Sequence, residues 1–194
     1  ANTVWACAEL RVQSPNIFSQ VEKHAEQFVK EGNPQHLANT VWACARLRIK
    51  LPNLFAQVEK HAEQFVKEGN PQNIANTVWA CARLGIKLPD HFLHVEKHAE
   101  QLVKEGNPQA IANTIWACAE LGIKSPNLFF QVEKHAKTFV QEGNPQEIAK
   151  TVRACAELGF DSPKLFAQVE KHRERLVKDG NPQEIETLFG RVTC

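Results

Sequence analysis

Apolar residues recur along this chain at helical spacing, and the whole pattern returns every 37 residues. In the third copy, Ile74, Val78 and Cys81 follow the i, i+4, i+7 spacing that places side chains on one face of an α-helix. A second apolar stripe with the same spacing runs from Phe92 to Val103. Each repeat therefore predicts two helices, and each helix has one face for a core.

Polar and turn-forming residues indicate where these helices begin and end. Asn70 and Pro71 suit the N-cap and the first turn of a helix over Gln72–Leu84. A second helix is predicted from Pro89 to Glu105, with Gly106 ending it in a left-handed conformation. The repeat is thus predicted to be a helical hairpin.

The repeat recurs without an insertion. Ala-Asn-Thr-Val-Trp-Ala-Cys-Ala begins at Ala1, Ala38 and Ala75, returns with isoleucine at Ala112, and is altered at Ala149. The resulting units are 1–32 (partial), 33–69, 70–106, 107–143, 144–180 and 181–194 (partial). A strict period of this length predicts an all-α fold, a single α-solenoid superhelix of helical-hairpin repeats over 1–194.

A helical wheel of the first helix puts five residues opposite the apolar stripe: Gln72, Asn73, Asn76, Ala80 and Arg83. In a stack of hairpins the first helices usually line the concave wall, so this free face is predicted to repeat along a groove. Its equivalent positions form rows along the chain.

Each row varies in its own way. One row is always glutamine: Gln35, Gln72, Gln109, Gln146 and Gln183. A second row is asparagine until the fifth repeat: Asn2, Asn39, Asn76, Asn113 and Lys150. A third row changes almost every time: His36, Asn73, Ala110, Glu147 and Glu184. A fourth row changes the sign of its charge: Glu9, Arg46, Arg83, Glu120 and Glu157.

These rows predict a modular reader, in which constant polar groups hold a repeating ligand and one variable side chain per repeat selects what lies beside it. Asparagine inside a helix is otherwise hard to explain, because it is a poor helix former. A plainer interpretation stays open for the variable row. It occupies the third helical position, where Glu147 and Glu184 can complete capping boxes with Asn144 and Asn181.

Tryptophan borders the apolar stripe in four repeats, at Trp5, Trp42, Trp79 and Trp116. We expect these rings to pack against the adjacent hairpin, where one donor per ring is easily satisfied. An aromatic ladder for stacking bases is the alternative.

Cysteine and histidine also recur once per repeat. Equivalent residues of stacked repeats are ~10 Å apart, too far for a disulfide or a shared metal ion. Cys194 is predicted to be exposed. The five repeating cysteines are predicted to be small buried hydrophobes: Cys7, Cys44, Cys81, Cys118 and Cys155. The recurring histidines, of which His61 is one, are predicted to be half-buried and to bond to a neighbouring repeat. His91, His94 and His98 form a local cluster, which is expected not to bind metal.

Composition describes an ordinary folded chain, with 43% hydrophobic and 23% charged residues. No long apolar run, signal peptide or catalytic motif occurs, so no membrane span, enzyme activity, metal or cofactor is expected. Free thiols favour an intracellular setting. A net charge of +1 lacks the basic excess of most nucleic-acid binders, but Lys50, Lys87 and Lys124 recur after the first helix and predict a local basic rim.

The stretch Asn-Pro-Gln-x-Ile-Ala-Asn-Thr-Val-Trp-Ala-Cys-Ala-x-Leu-Gly, from Asn70 to Gly85, resembles the octotricopeptide repeats and their 37-residue relatives, the heptatricopeptide repeats. The resemblance covers all five repeats and the partial sixth. It implies an α-solenoid that binds single-stranded RNA, in a chloroplast or mitochondrion, with the first helix of each repeat as the reader.

Under this resemblance, the implied base readers are Asn2, Asn39, Asn76, Asn113, Lys150, His36, Asn73, Ala110 and Glu147. The implied groove support and phosphate contacts are Gln35, Gln72, Gln109, Arg46, Arg83, Lys50, Lys87 and Lys124. Two other functions stay open, a peptide-binding scaffold of the tetratricopeptide type and a structural spacer. Because the apolar flank of the first helix lacks a preceding hairpin, weak end-to-end self-association is also expected.

Overall fold

The computed structural model describes residues 2–190, and those residues form sixteen helices without a strand. The first helices of the repeats are α1 (Asn2–Glu9), α4 (Pro34–Leu47), α7 (Pro71–Leu84), α10 (Pro108–Leu121), α13 (Pro145–Leu158) and α16 (Pro182–Phe189). The second helices are α2 (Pro15–Lys23), α5 (Pro52–Lys60), α8 (Pro89–Lys97), α11 (Pro126–Lys134) and α14 (Pro163–Lys171). Short third helices follow: α3 (Ala25–Glu31), α6 (Ala62–Glu68), α9 (Ala99–Glu105), α12 (Ala136–Glu142) and α15 (Arg173–Asp179).

The third helix of each repeat corrects the prediction of two helices. The long second helix predicted from Pro89 to Glu105 is interrupted at His98, and the same histidine interrupts the other repeats. His61 has φ −108° and ψ 21°, outside the helical region. Its backbone N–H donates to Gln57 O at 3.1 Å, and its ring Nδ1 lies 3.0 Å from the same oxygen. A side chain that shares a backbone acceptor in this way competes with the regular helical pattern.

Glycine conformations also differ from the prediction. The described glycines with positive φ are Gly85, Gly122, Gly159 and Gly190, so the left-handed conformation predicted for Gly106 is wrong. The first three of them end the first helices. Gly69, the equivalent of Gly106, is extended, with φ −77° and ψ 145°. Glycine is needed there for another reason, because an added Cβ would lie 2.7 Å from Phe65 O.

The chain forms two compact units, Ala1–His98 and Ala99–Cys194. In the first unit, α4 packs between α1 and α7, while α5 packs against α2, α3 and α8. In the second unit, α13 packs between α10 and α16, while α14 packs against α11 and α12. Each unit therefore has a layer of first helices beside a layer of second and third helices. This neighbour-to-neighbour packing is that of an α-solenoid and confirms the predicted fold class.

A carboxylate links each repeat to the next within the units. Glu59 accepts hydrogen bonds from the backbone N–H groups of Asp90 (2.8 Å) and His91 (3.1 Å), at the start of α8. Glu22 and Glu133 make the same pair of bonds to α5 and α14. A carboxylate suits a helix N-terminus, where N–H groups lack partners. These contacts join the second helices of neighbouring repeats.

The predicted core is largely confirmed. Val78 and Cys81 are fully buried, as are Leu54, Leu128 and Leu165 at equivalent positions of the second helices. In the third repeat that position is His91, also fully buried, with neither ring nitrogen hydrogen-bonded to a protein group and the ring 5.3 Å from that of Phe65.

Four of the repeating cysteines are buried as predicted: Cys44, Cys81, Cys118 and Cys155. Burial raises the pKa of the Cys44 thiol to about 12, which keeps it protonated. Cys7 is half-buried, and the predictions for Ala1 and Cys194 lie outside the described residues. Among the helices described, none has the length and apolar character needed to cross a membrane. Over residues 2–190, no group of three His, Cys, Asp or Glu side chains is placed to hold a metal ion.

Candidate nucleic-acid interface

The four complete first helices, α4, α7, α10 and α13, each carry a ridge of accessible side chains at i, i+4, i+7 and i+11. In α7 the ridge is Gln72, Asn76, Trp79 and Arg83. Gln72 Nε2 donates to Asn76 Oδ1 at 2.9 Å, and the guanidinium carbon of Arg83 lies 5.8 Å from the centroid of the Trp79 ring. The spacing places all four side chains on one side of the helix. We call this row of four positions the ridge.

The ridge of α4 has the same chemistry. It consists of Gln35, Asn39, Trp42 and Arg46, and the Arg46 guanidinium carbon lies 5.4 Å from the Trp42 ring centroid. Gln35 and Arg46 are exposed, while Asn39 and Trp42 are half-buried. The first unit therefore presents an amide, an aromatic ring and a guanidinium in a fixed order on two neighbouring helices.

The ridge differs from the free face that the helical wheel predicted. Asn73 and Ala80 were predicted to be free, but they are only 7% and 0% exposed. Trp79, placed at the border by the wheel, lies on the accessible side. The reason is packing on both flanks: a helix such as α4, held between α1 and α7, keeps only a narrow strip of surface. The wheel considers one buried face and so placed the strip too far to one side.

The variable row is largely occupied by helix capping. Asn73 N–H donates to Asn70 Oδ1 at 2.8 Å, and Asn73 Oδ1 accepts from Asn70 N–H at 3.3 Å. Glu147 forms the same reciprocal pair with Asn144, so the capping alternative is confirmed there. Ala110 is 1% exposed. His36 is exposed, and it is the residue of this row that fits the predicted location best.

The tryptophans are less buried than expected. Trp5 is 46% exposed, and Trp42, Trp79 and Trp116 are half-buried. The expectation that these rings pack against the adjacent hairpin is therefore wrong in part, because each ring belongs to the ridge and stays partly accessible to solvent. The exposed lysines Lys50, Lys87 and Lys124 follow the ends of α4, α7 and α10, at the surface where the basic rim was predicted.

The second unit has a groove of about 320 Å³ between α10, α13 and α16. Its lining includes ridge residues of three repeats: Trp116, Glu120, Gln146, Lys150, Arg153, Glu157 and Gln183. Lys150 Nζ donates to Asn113 Oδ1 at 3.0 Å, so equivalent positions of neighbouring repeats touch. Burial lowers the pKa of Lys150, and the nearby charge of Glu147 opposes that shift. The groove is thus lined by two residues of the glutamine row, Gln146 and Gln183, and by Lys150 of the asparagine row.

Charges on the ridge are paired in the second unit. Arg153 replaces tryptophan, and its Nε lies 2.7 Å from Glu157 Oε1. The hydrogen bond and the charge of Glu157 raise the pKa of the Arg153 guanidinium, with burial opposing. Glu120 takes the place that arginine holds beside Trp42 and Trp79. An aromatic–guanidinium pair is accordingly a feature of the α4 and α7 ridges.

Two features were not predicted from the sequence, the pairing of a ridge tryptophan with an arginine and the glutamate that joins the second helices of neighbouring repeats. The Trp-x-x-x-Arg spacing of Trp42 and Arg46 was visible in the sequence and is typical of a stacked pair on one helical face. The inter-repeat bonds of Glu59 had no such local indication, because the partner N–H groups lie about one repeat away along the chain.

Comparison with known proteins gives one family. The family described as RESC6, RNA-editing substrate-binding complex 6 protein, matches residues 2–191. No curated protein matches the chain. The family match covers nearly the whole array, ridges included.

Proposed function

We propose that this chain, which belongs to the family of RNA-editing substrate-binding complex 6 proteins, binds single-stranded RNA along the ridges of its first helices. The observation that carries the proposal is the ridge itself, with amide, ring and guanidinium in the same order on α4 and α7. Single-stranded RNA is recognised through base edges and base faces, and this set of side chains offers partners for both.

Each ridge position has a distinct role in this proposal. Amides donate and accept hydrogen bonds, so the proposed base-edge contacts are Asn2, Asn39, Asn76 and Asn113, with Lys150 donating only. In α7, Gln72 holds the Asn76 side chain by a hydrogen bond. Arg46, Arg83 and the rim lysines Lys50, Lys87 and Lys124 are placed to meet phosphates. Within the variable row, His36 alone keeps a proposed ligand contact, because Asn73, Ala110 and Glu147 are buried or engaged in capping.

Net charge sets a limit on how the RNA is held. At +1, the chain cannot neutralise many phosphates, so affinity must rest more on bases than on backbone. We therefore expect a modest dependence of log K on log salt, with a slope no steeper than about −3.5, the value for five neutralised phosphates of a single strand, one for each proposed phosphate contact.

A second function is favoured by the groove of the second unit. Lys150 and Arg153 line that groove, and together with Asn113 they could hold a peptide carboxylate, as in a protein-interaction scaffold. Organellar location, membership of the octotricopeptide group and weak end-to-end association all stay predictions.

The test uses the whole chain and fluorescein-labelled single-stranded RNA of random sequence, followed by fluorescence anisotropy at several salt concentrations. Replacing Asn39, Asn76 and Asn113 by alanine removes three proposed base contacts and should weaken binding about tenfold or more, since each lost pair leaves a polar base edge unpaired. The matched control replaces Asn16 and Asn53, which are exposed on α2 and α5, away from the ridge.

Two results would overturn the proposal. One is the absence of RNA binding by the parent chain up to about 0.1 mM, the weak limit for non-specific nucleic-acid binding. The other is equal affinity of the parent and the triple alanine variant. Displacement of labelled RNA by short acidic peptides at equimolar concentration would favour the scaffold function instead.

A further inference from the structure

We infer that the Trp42–Arg46 and Trp79–Arg83 pairs are base-stacking subsites, and that RNA affinity is concentrated in the first unit. The inference rests on the proposed function and names the groups that hold the bases. It adds to the asparagine contacts a stacking contact at the aromatic position of the ridge.

The geometry of the pairs supports stacking. Each guanidinium carbon lies over its indole, 5.4 Å from the ring centroid for Arg46 and 5.8 Å for Arg83. Both arginines are exposed and both rings are half-buried, so each pair has one side against the protein and one toward solvent. Bases stack on indole rings and on guanidinium planes alike, and this contact tolerates any base.

An asparagine one helical turn before each tryptophan offers the base selectivity that stacking does not give. Asn39 precedes Trp42 by three residues, and Asn76 precedes Trp79 by three, so each amide lies beside its ring on the same helical face. A base held on the ring can therefore present its edge to the asparagine. Stacking would give affinity and the amide would give preference.

The spacing of the pairs suits one base per repeat. Because α4 and α7 are neighbours in the first layer, their ridges are ~10 Å apart, the usual distance between packed helices. Bases in a stacked strand are only ~3.4 Å apart, so bases on adjacent pairs must be splayed. Splayed single strands are the form that helical-repeat readers bind.

The second unit lacks this arrangement at each equivalent place. Trp116 has Glu120 where the arginine would be, and a carboxylate there repels phosphate. Arg153 stands in place of the tryptophan and is engaged by Glu157 at 2.7 Å. Two of the groups that would hold a base are thus changed or occupied.

Tryptophan fluorescence tests stacking directly, since the chain has four tryptophans and no tyrosine. We expect single-stranded RNA to quench emission, and an abasic oligomer of equal length and charge to bind at least about tenfold more weakly without quenching. Trp42→Phe and Trp79→Phe should each remove part of the quench, whereas Trp116→Phe should leave it intact. Equal quenching by the abasic oligomer, or a quench lost only in Trp116→Phe, would overturn the inference.

A gain-of-function variant keeps the test independent of folding defects. Glu120→Arg recreates a Trp–Arg pair in α10 and should tighten RNA binding about fivefold, with new quenching of Trp116. Glu142→Arg makes the same charge change on α12, away from the ridges, and should tighten binding less than twofold. Equal gains from both substitutions would mean that charge alone acts, and the stacking subsites would be rejected.

The outcomes separate the two proposals. If the parent chain binds no RNA, the proposed function fails and the inference fails with it. If the parent binds RNA with an affinity that depends on Asn39 and Asn76 but shows no quenching and no gain from Glu120→Arg, the proposed function stands and the stacking subsites are wrong.

Discussion

The complete first helices of the two units, α4 and α7 in the first and α10 and α13 in the second, have nearly the same sequence but carry opposite charges at the last ridge position. In the first unit, Arg46 and Arg83 lie over tryptophans. In the second, Glu120 stands beside Trp116, and Arg153 and Glu157 neutralise each other. Since these ridge positions touch little of the core, they can change without affecting the stack. One fold can therefore present different surfaces from repeat to repeat.

The two units also differ at one buried core position and at the end of one first helix. The first unit has His91 where the second has Leu128 and Leu165, and Arg48 where the second has Gly122 at the end of a first helix. His91 is a polar residue at a buried position that suits leucine, and Arg48 has a left-handed backbone conformation that suits glycine. Each position in one unit thus provides a control for its equivalent in the other.

The largest expected effect is at His91. Burial, with a smaller contribution from the charge of His94, lowers its pKa from 6.5 to about 4. Between those values the unfolded chain binds a proton that the folded chain excludes, so stability falls as pH decreases, by up to about 3 kcal/mol near pH 4. His91→Leu should remove this loss, and urea unfolding of both proteins from pH 7 to pH 4 measures it.

The second unit supplies the reciprocal change. Leu128→His should create the same acid-sensitive loss there, because Leu128 is fully buried at the equivalent position. At pH 7, His91→Leu should also stabilise by about 1–2 kcal/mol, since it removes ring nitrogens without protein hydrogen-bond partners. Parallel losses of stability in the parent and His91→Leu below pH 6.5 would contradict the assignment.

The next effect concerns the ridge charges. Replacing Arg46 and Arg83 by glutamate removes two guanidinium planes and places two carboxylates against the RNA. We expect affinity to fall about 30-fold, or about 2 kcal/mol, in anisotropy titrations at constant salt. Arg153→Glu in the second unit should lower affinity by less than about threefold, because the inferred stacking subsites lie on α4 and α7. A similar loss in both variants would remove the distinction between the units.

The first helices show how far local sequence can be trusted. Asn70 and Pro71 mark the start of α7 and Gly85 follows its end, and the structure places that helix at Pro71–Leu84. Residues that begin or end a helix act on neighbours a few positions away, so they can be recognised without knowing the fold. Burial of Val78 and Cys81 followed from spacing for the same reason.

The sequence-based predictions were wrong at positions whose structure depends on other parts of the chain or on an unusual local contact. No proline or glycine marks the interruption at His61, where the ring Nδ1 lies 3.0 Å from the Gln57 carbonyl oxygen. The positions of Ala80 and Trp79 depend on neighbouring helices that cover both flanks of a first helix, which a wheel of one helix omits. The ridge could thus be predicted in outline, as a polar face with an amide row, but not in its side-chain content.

Arg48 should show a smaller effect, on stability alone. It ends α4 in the left-handed region, with φ 57° and ψ 34°, where Gly122 ends α10 at φ 65°. Left-handed conformation costs a residue with a Cβ roughly 1 kcal/mol, so Arg48→Gly should stabilise by about 0.5–1 kcal/mol in urea unfolding. Gly122→Ala should cost a similar amount, since a Cβ there meets no atom within 4 Å and only the backbone is strained. A destabilised Arg48→Gly would show that the arginine side chain contributes more than the backbone strain costs.

The smallest expected effect tests why the ridges of the second unit are expected to contribute little to RNA binding. Glu157→Gln removes the carboxylate that pairs with Arg153, and because both side chains are largely exposed the ion pair should contribute less than about 0.5 kcal/mol to stability. The freed guanidinium should nevertheless raise RNA affinity about twofold, since it becomes available to phosphate or to a base face. Glu120→Gln provides the matched control, because it removes a carboxylate from the same surface while Arg153 keeps its bond to Glu157. If the two glutamine variants gain affinity equally, loss of negative charge explains both, and pairing of Arg153 is not what keeps this ridge from binding. If Glu157→Gln alone gains, the contrast between the units comes from the pairing of a guanidinium rather than from the amount of charge.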